Sequence, residues 1–207
     1  MKRITFYILL ISIFAAFSLP GRSGSVLQNK VVIDSRMTLE EATSGLKIPS
    51  PLKKSLSLVS VNYYSFDGRL HEGQVLVQSK LAGEIREIFR EIEESRFPVA
   101  KVVPIVKYGW SDSLSMSDNN TSAFNYRLVK GTKVMSAHAT GRAIDINPLQ
   151  NPQIKRGKAS PLGAKYDIKV PGTITPSSPV AKAFTRRGWK WGATWRSTKD
   201  YQHFEKK

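Results

Sequence analysis

Leu58-Val59-Ser60-Val61-Asn62-Tyr63-Tyr64, then Asp67-Gly68, then Gln74-Val75-Leu76-Val77: two runs dense in β-branched and aromatic residues flank a turn dipeptide. That composition favours a pleated, half-buried surface, and Asp-Gly suits a tight reversal, so two antiparallel strands are predicted. Directly downstream, Leu81, Ala82, Ile85, Ile88, Phe89 and Ile92 recur at helical spacing, with Lys80, Glu84, Arg86, Glu87, Arg90 and Glu91 on the other side. An amphipathic helix covering a sheet follows from that period. Phe97-Pro98 stops it, and Val102 to Val106 reads as a returning strand with a proline at its edge. The fold class is therefore α+β, with a mainly antiparallel sheet and flanking helices.

Outward from this unit the signals weaken. Residues 111–123 are rich in Ser, Asp and Asn and read as a long loop, a length that inside a compact domain is often functional. Ser178-Pro179 is an N-cap followed by proline at the first helical position, and Gly188 is a stop, so a helix is expected from Pro179 to Arg187. A short strand is expected near Tyr201 to Phe204. Trp189 and Trp191 are read as core packing, and His71 as a surface residue without a carboxylate partner.

At the other end, Lys2 and Arg3 precede an uncharged, largely apolar run from Ile4 to Leu19, followed by small residues to Ser25. This is the pattern of an export signal, shorter than the roughly 20 apolar residues a bilayer span needs. Residues 1–25 are assigned as a signal peptide, 26–50 as a linker or N-terminal arm, and 51–207 as one catalytic domain. An exported protein in the periplasm, cell wall or medium is expected, with no stable membrane anchor. The formal net charge is +16, or +13 once Lys2, Arg3 and Arg22 are removed. Such a chain accumulates at anionic surfaces, here cell-envelope polymers; no nucleic-acid motif accompanies the charge.

With no cysteine in the chain, any metal must be held by His, Asp, Glu or water. Two of the three histidines lie in segments dense with polar and small residues: Ser136-Ala137-His138-Ala139-Thr140-Gly141-Arg142-Ala143-Ile144-Asp145-Ile146-Asn147-Pro148, and Asp200-Tyr201-Gln202-His203-Phe204-Glu205. On a strand from Arg142 to Asn147, Ala143, Asp145 and Asn147 share one face. A hydrolytic zinc site needs three protein ligands, an open position and a carboxylate to take a proton from water. His138, Asp145, His203 and Asp200 could meet that need, yet each could equally be a hydrogen-bonded structural group, and spacing alone leaves the choice open.

Ser136-x-His138-x-x-Gly141-x-Ala143-x-Asp145, followed by Asp200-x-x-His203-Phe204, resembles the signature of the VanY-type D-alanyl-D-alanine carboxypeptidase and L-alanyl-D-glutamate endopeptidase family of zinc peptidases. Phe66-Asp67-Gly68, the block Asp118 to Arg127, Asn147-Pro148 through Asn151-Pro152, and Gly188-Trp189-x-Trp191-Gly192 extend the likeness over roughly residues 58 to 205. The resemblance implies a hedgehog/D-Ala-D-Ala peptidase-like fold, Zn2+ on His138, Asp145 and His203, and Asp200 as general base. It implies Arg127 as the cation that stabilises the oxyanion, with Arg142 as the rival. Ser136 and Tyr126 are the substrate-binding candidates, although Ser136 could simply cap a turn and Tyr126 could pack beside Phe124. Glu205 is read as a surface or supporting group. Peptidoglycan stem peptides are the implied substrate. The D-Ala-D-Ala bond is preferred over L-Ala-D-Glu, and a non-catalytic zinc-bearing wall-binding module is the rival from another class.

Overall fold

A computed structural model describes residues 30–129 and 131–207. The proposed signal peptide and the first residues of the arm lie outside them. In chain order the elements are β1 (Val32–Ile33), α1 (Leu39–Ala42), α2 (Ser50–Lys54), β2 (Leu56–Tyr64), β3 (Leu70–Gln78), α3 (Ala82–Glu94), β4 (Lys101–Val102), α4 (Asp112–Ser117) and β5 (Asn120–Thr121). They continue with β6 (Ala143–Asp145), β7 (Gln153–Lys155), β8 (Lys158–Ser160), α5 (Pro179–Thr185), β9 (Lys190–Trp191), β10 (Thr198–Asp200) and β11 (His203–Glu205).

β2 and β3 pair antiparallel along their whole length, from Leu56 opposite Gln78 to Tyr64 opposite Leu70. Helix α3 lies on this hairpin with Ile85, Ile88, Phe89 and Ile92 buried beneath it. Burying each such side chain is worth on the order of 2 kcal/mol, so the helix owes its place more to this face than to propensity. Helix α5 packs beside α3, and Glu91 on α3 accepts from Arg187 at 2.6 Å and also pairs with Arg186. Phe184 of α5 stacks on Phe204, which stacks in turn on Trp191, while the Trp191 indole donates to the Tyr201 carbonyl at 2.8 Å. Trp189 and Trp191 are thus core residues, as the sequence suggests.

The strands divide among four small sheets in the described residues: β1-β3-β2, β10-β7-β8, β6-β11-β9 and β4-β5. The expected strand from Val102 to Val106 is cut short. β4 ends at Val102, and after Pro104 the chain turns through a 3-10 segment, Ile105–Tyr108. Proline lacks the donor a ladder needs and fixes the turn's entry. The expected loop 111–123 is instead capped and structured. Ser111 accepts from the Leu114 amide to begin α4, and β5 pairs parallel with β4. Ser and Asp favour helix starts as readily as loops.

His71 corrects another expectation. It is buried, with Nδ1 2.9 Å from Asp34 and Nε2 3.2 Å from Asp67. Asp34 follows β1, which pairs parallel with β3 at Val32–His71, so residues 32–34 run along the hairpin. No described helix is long and apolar enough to cross a membrane.

Candidate active site

Three segments converge where β6, β11 and the turn before β6 meet. Ser136 accepts from the His138 amide at 3.3 Å and so opens a 3-10 turn, Ala137–Thr140, that ends at Gly141 with φ +66°. A side chain at Gly141 would stand 2.5 Å from the Gln78 amide nitrogen, whose N–H donates to the Gly141 carbonyl at 2.9 Å. Glycine is required on both counts, by its backbone angle and by the close approach to β3. The turn thereby fixes His138, whose Nδ1 lies 2.5 Å from the Ala123 carbonyl. A carbonyl can only accept, so Nδ1 carries a proton and Nε2 is the nitrogen turned toward the cluster.

That nitrogen faces Asp145 and His203. β6 and β11 pair with Asp145 directly opposite His203. His138 Nε2 lies 3.2 Å from His203 Nδ1 and 3.3 Å from Asp145 Oδ2, while His203 Nδ1 lies 2.9 Å from Asp145 Oδ1. All three residues are buried, and their donor atoms fall within 4.8 Å of one another. Zinc bonds to N and O donors at about 2.0–2.1 Å, which for a tetrahedral ion puts donor pairs roughly 3.3 Å apart. The two-nitrogen, one-carboxylate set matches a hydrolytic zinc centre in kind and in spacing. Without metal, the cluster is a tight ionic triad. Burial disfavours the Asp145 anion, but the two histidines outweigh it and hold the carboxyl well below the usual range. Burial would likewise depress His203, yet hydrogen bonds to Asp145 and Glu205 outweigh it and lift the imidazole to about 10.

Asp200 joins the site from another sheet. It ends β10, paired with β7, and only Tyr201 and Gln202 separate it from β11, paired with β6. The change of sheet within two residues lets positions 200 and 203 serve one site, although a single regular strand would turn them to opposite faces. Burial, and after it the charge of Asp145, push the Asp200 carboxyl up to about 6. Its Oδ2 accepts from Gln153 Nε2 at 2.6 Å, whereas its Oδ1 is buried with no hydrogen-bond partner. Gly192 presses on the backbone from behind, because a Cβ there would meet the Asp200 carbonyl oxygen at 2.6 Å.

A cleft of about 940 Å³ runs along this region, and Asp145, Asp200, Gln153, Arg127, Asp112 and Trp195 are on its wall. Arg127 is therefore on the same cleft as the cluster, its guanidinium paired with Asp112 at 2.9 Å and its Nε buried without a partner. Arg142 is not on that wall; its Nε donates to Thr140 at 3.0 Å. Ser136 and Tyr126 are also off it. Ser136 caps the His138 turn, and Tyr126 packs against the small cluster of Leu56, Leu76 and Phe124. Glu205 approaches the far nitrogen of His203, Nε2, at 3.4 Å, where it can orient the ring.

Sequence reading missed Gln153 and the β7–β8 hairpin that carries it. In the structure Arg156 and Gly157 both have positive φ in a two-residue loop between Lys155 and its partner Lys158. Gly at the second loop position is compatible with that mirror-image turn, but arginine at the first is not a usual marker. Below the cluster, Asn147 donates to the carbonyls of Pro98 and Gly172 and accepts from the Ala100 amide, while Asn151 donates to Ile146, Asn147 and Gly172 and accepts from Ile174. These two buried amides fix the chain as it leaves β6.

Residues 130–206 match the family model described as D-alanyl-D-alanine carboxypeptidase. The match supports, for that stretch, the resemblance to VanY-type zinc peptidases, and it contains His138, Asp145, Asp200 and His203. Arg127 and Tyr126 lie upstream of it. Comparison with curated proteins and with solved structures gave no match.

Proposed function

We propose that this chain, with residues 130–206 drawn from the D-alanyl-D-alanine carboxypeptidase family, is an exported zinc peptidase that hydrolyses the stem peptides of peptidoglycan. The terminal D-Ala-D-Ala bond is the preferred target and L-Ala-D-Glu the second. The observation that carries the reading is the buried triad of His138, Asp145 and His203 reaching a cleft beside a carboxylate, Asp200, with one unpartnered oxygen. The strongly basic composition suits an acidic wall polymer and its peptides as partners.

His138, Asp145 and His203 would hold the ion. Zinc in such a site supplies Lewis acidity, making a water more acidic and a carbonyl more electrophilic. Asp200, buried and raised toward neutrality, takes the proton of the attacking water on Oδ1 and returns it to the leaving amine. Arg127 turns from Asp112 toward the developing oxyanion, to which its fixed charge is complementary. Glu205 and the Ala123 carbonyl orient the two imidazoles. A zinc-bearing wall-binding module is disfavoured by Asp200 itself, since binding alone gives no reason to bury a carboxylate oxygen without a partner.

The test combines metal analysis with digestion of purified muropeptides, products read by mass. About one zinc per chain and loss of a terminal D-Ala are expected, with Asp200→Asn keeping its zinc but losing turnover by at least roughly 10²-fold. Zinc-loaded protein that cleaves no muropeptide bond would instead establish the binding module.

A further inference from the structure

The pairing of β10 with β7 sets Gln153 directly opposite Asp200, so both side chains stand on the cleft face of that sheet. β7 is the central strand, bonded to β8 on its other edge, where Gln153 faces Ser160. Gln153 is thus mounted on the most constrained strand of its sheet. Its amide donates to one oxygen of Asp200 at 2.6 Å and leaves the other, buried, without any partner. The two oxygens of one carboxylate are therefore chemically unlike.

We propose that Gln153 is a positioning residue of the reaction: its neutral amide holds Oδ2 of Asp200 and thereby aims Oδ1 at the water and the leaving group. This rests on the reading of Asp200 as the general base. The choice of an amide has a chemical reason. An Arg or Lys at this position would hold the carboxylate more strongly, but its charge would stabilise the anion and weaken it as a base. Among the described residues no Lys, Arg or His makes an ion pair with Asp200. Burial, followed by the charge of Asp145, raises Asp200, and the Gln153 bond offsets only part of that effect. The backbone register of β7 and β10 does not depend on this side chain, so its removal changes the base more than the sheet.

The experiment uses zinc-loaded full-length protein and purified muropeptides. Gln153→Met keeps the length and removes the donor; Gln153→Glu keeps the shape and replaces the donor with an acceptor. Each is made alone and in an Asp200→Asn background, with kcat, KM, zinc content and melting temperature measured throughout. In the Asp200 background both variants should lower kcat by roughly 10- to 100-fold, the usual effect of removing a group that supports a site residue, with KM and zinc content unchanged. In the Asp200→Asn background they should cause no further loss. An equal loss in both backgrounds, a change confined to KM or zinc, or folded variants with full kcat would each overturn the proposal. If Asp200→Asn is inactive while the Gln153 variants are active, the positioning role alone fails. If Asp200→Asn itself turns over normally, the base assignment fails and the proposal with it.

Discussion

Gly192→Ala should disable the site without altering any residue that performs chemistry. A methyl at Gly192 would lie 2.6 Å from the Asp200 carbonyl oxygen and 2.8 Å from its Cβ. Ordinary contact begins near 3.4 Å, so the end of β10 must retreat by roughly 0.6–0.8 Å, and β10 is held on its other edge by β7. Overpacking of this kind costs about 1–3 kcal/mol. A displacement approaching 1 Å in a reacting group costs on the order of 10² in rate. The expected variant is folded, modestly destabilised in urea, close to wild type in zinc content and about a hundred times slower on muropeptides. Gly83→Ala, in α3 with open space around it, is the control; it should keep full activity and gain about 0.5–1 kcal/mol. A Gly192→Ala protein with wild-type stability and turnover would refute the steric reasoning, and a destabilised one with wild-type turnover would count against Asp200 in catalysis.

Other outcomes follow from the same geometry. Arg127→Ala should lower kcat by about 10² to 10³, as for loss of an oxyanion donor, whereas Arg142→Ala, off the cleft wall, should stay within a few fold; the reverse ranking in steady-state assays would move the role to Arg142. Asn147→Ala strands the Ala100 amide and the Pro98 carbonyl, while Asn151 still reaches Gly172. Chemical denaturation should show a loss of about 2–6 kcal/mol, at roughly 1–3 for each of these two groups. Glu91 is held below the usual glutamate range: burial opposes this, but the Arg187 and Arg186 contacts outweigh it. A carboxylate depressed on folding contributes stability above its unfolded value near 4.5 that is lost as pH falls below it. Glu91→Gln should therefore be less stable at pH 6 and show a shallower loss between about pH 4.5 and 3; parallel melting curves for the two proteins would contradict this.

The elements legible in the sequence were those whose pattern comes from their own burial. α3 declares itself because Ile85, Ile88, Phe89 and Ile92 are buried at its own period, and β2–β3 because nine-residue strands give an apolar bias room to show. β7, β8 and β10, at three residues each, have no period to read; they exist because their neighbours pair with them. His71 is legible only in part: Asp67, four residues back in the turn, is a local partner that the sequence offers, whereas Asp34 lies 37 residues away and reaches the ring through the β1–β3 pairing that buries it. At the site, the His138, Asp145, His203 and Asp200 group was recognisable from residue types in a known order. The contacts that tune them are not: Gln153 lies just outside the quoted motifs, and Ala123 and Gly192, though inside them, show what they touch only once the fold sets them against His138 and Asp200.

The two-residue crossing from β10 to β11 divides ownership of the centre. The sheet of β6, β11 and β9 owns two of the three would-be metal donors, and the sheet of β10, β7 and β8 owns the proposed base, Asp200, and its partner amide. Affinity for the ion and proficiency toward a peptide can therefore drift apart under mutation. Under the proposed mechanism a change in the Gln153–Ser160 hairpin would alter turnover while the metal is held as before, so one hairpin can tune the rate without touching the ion.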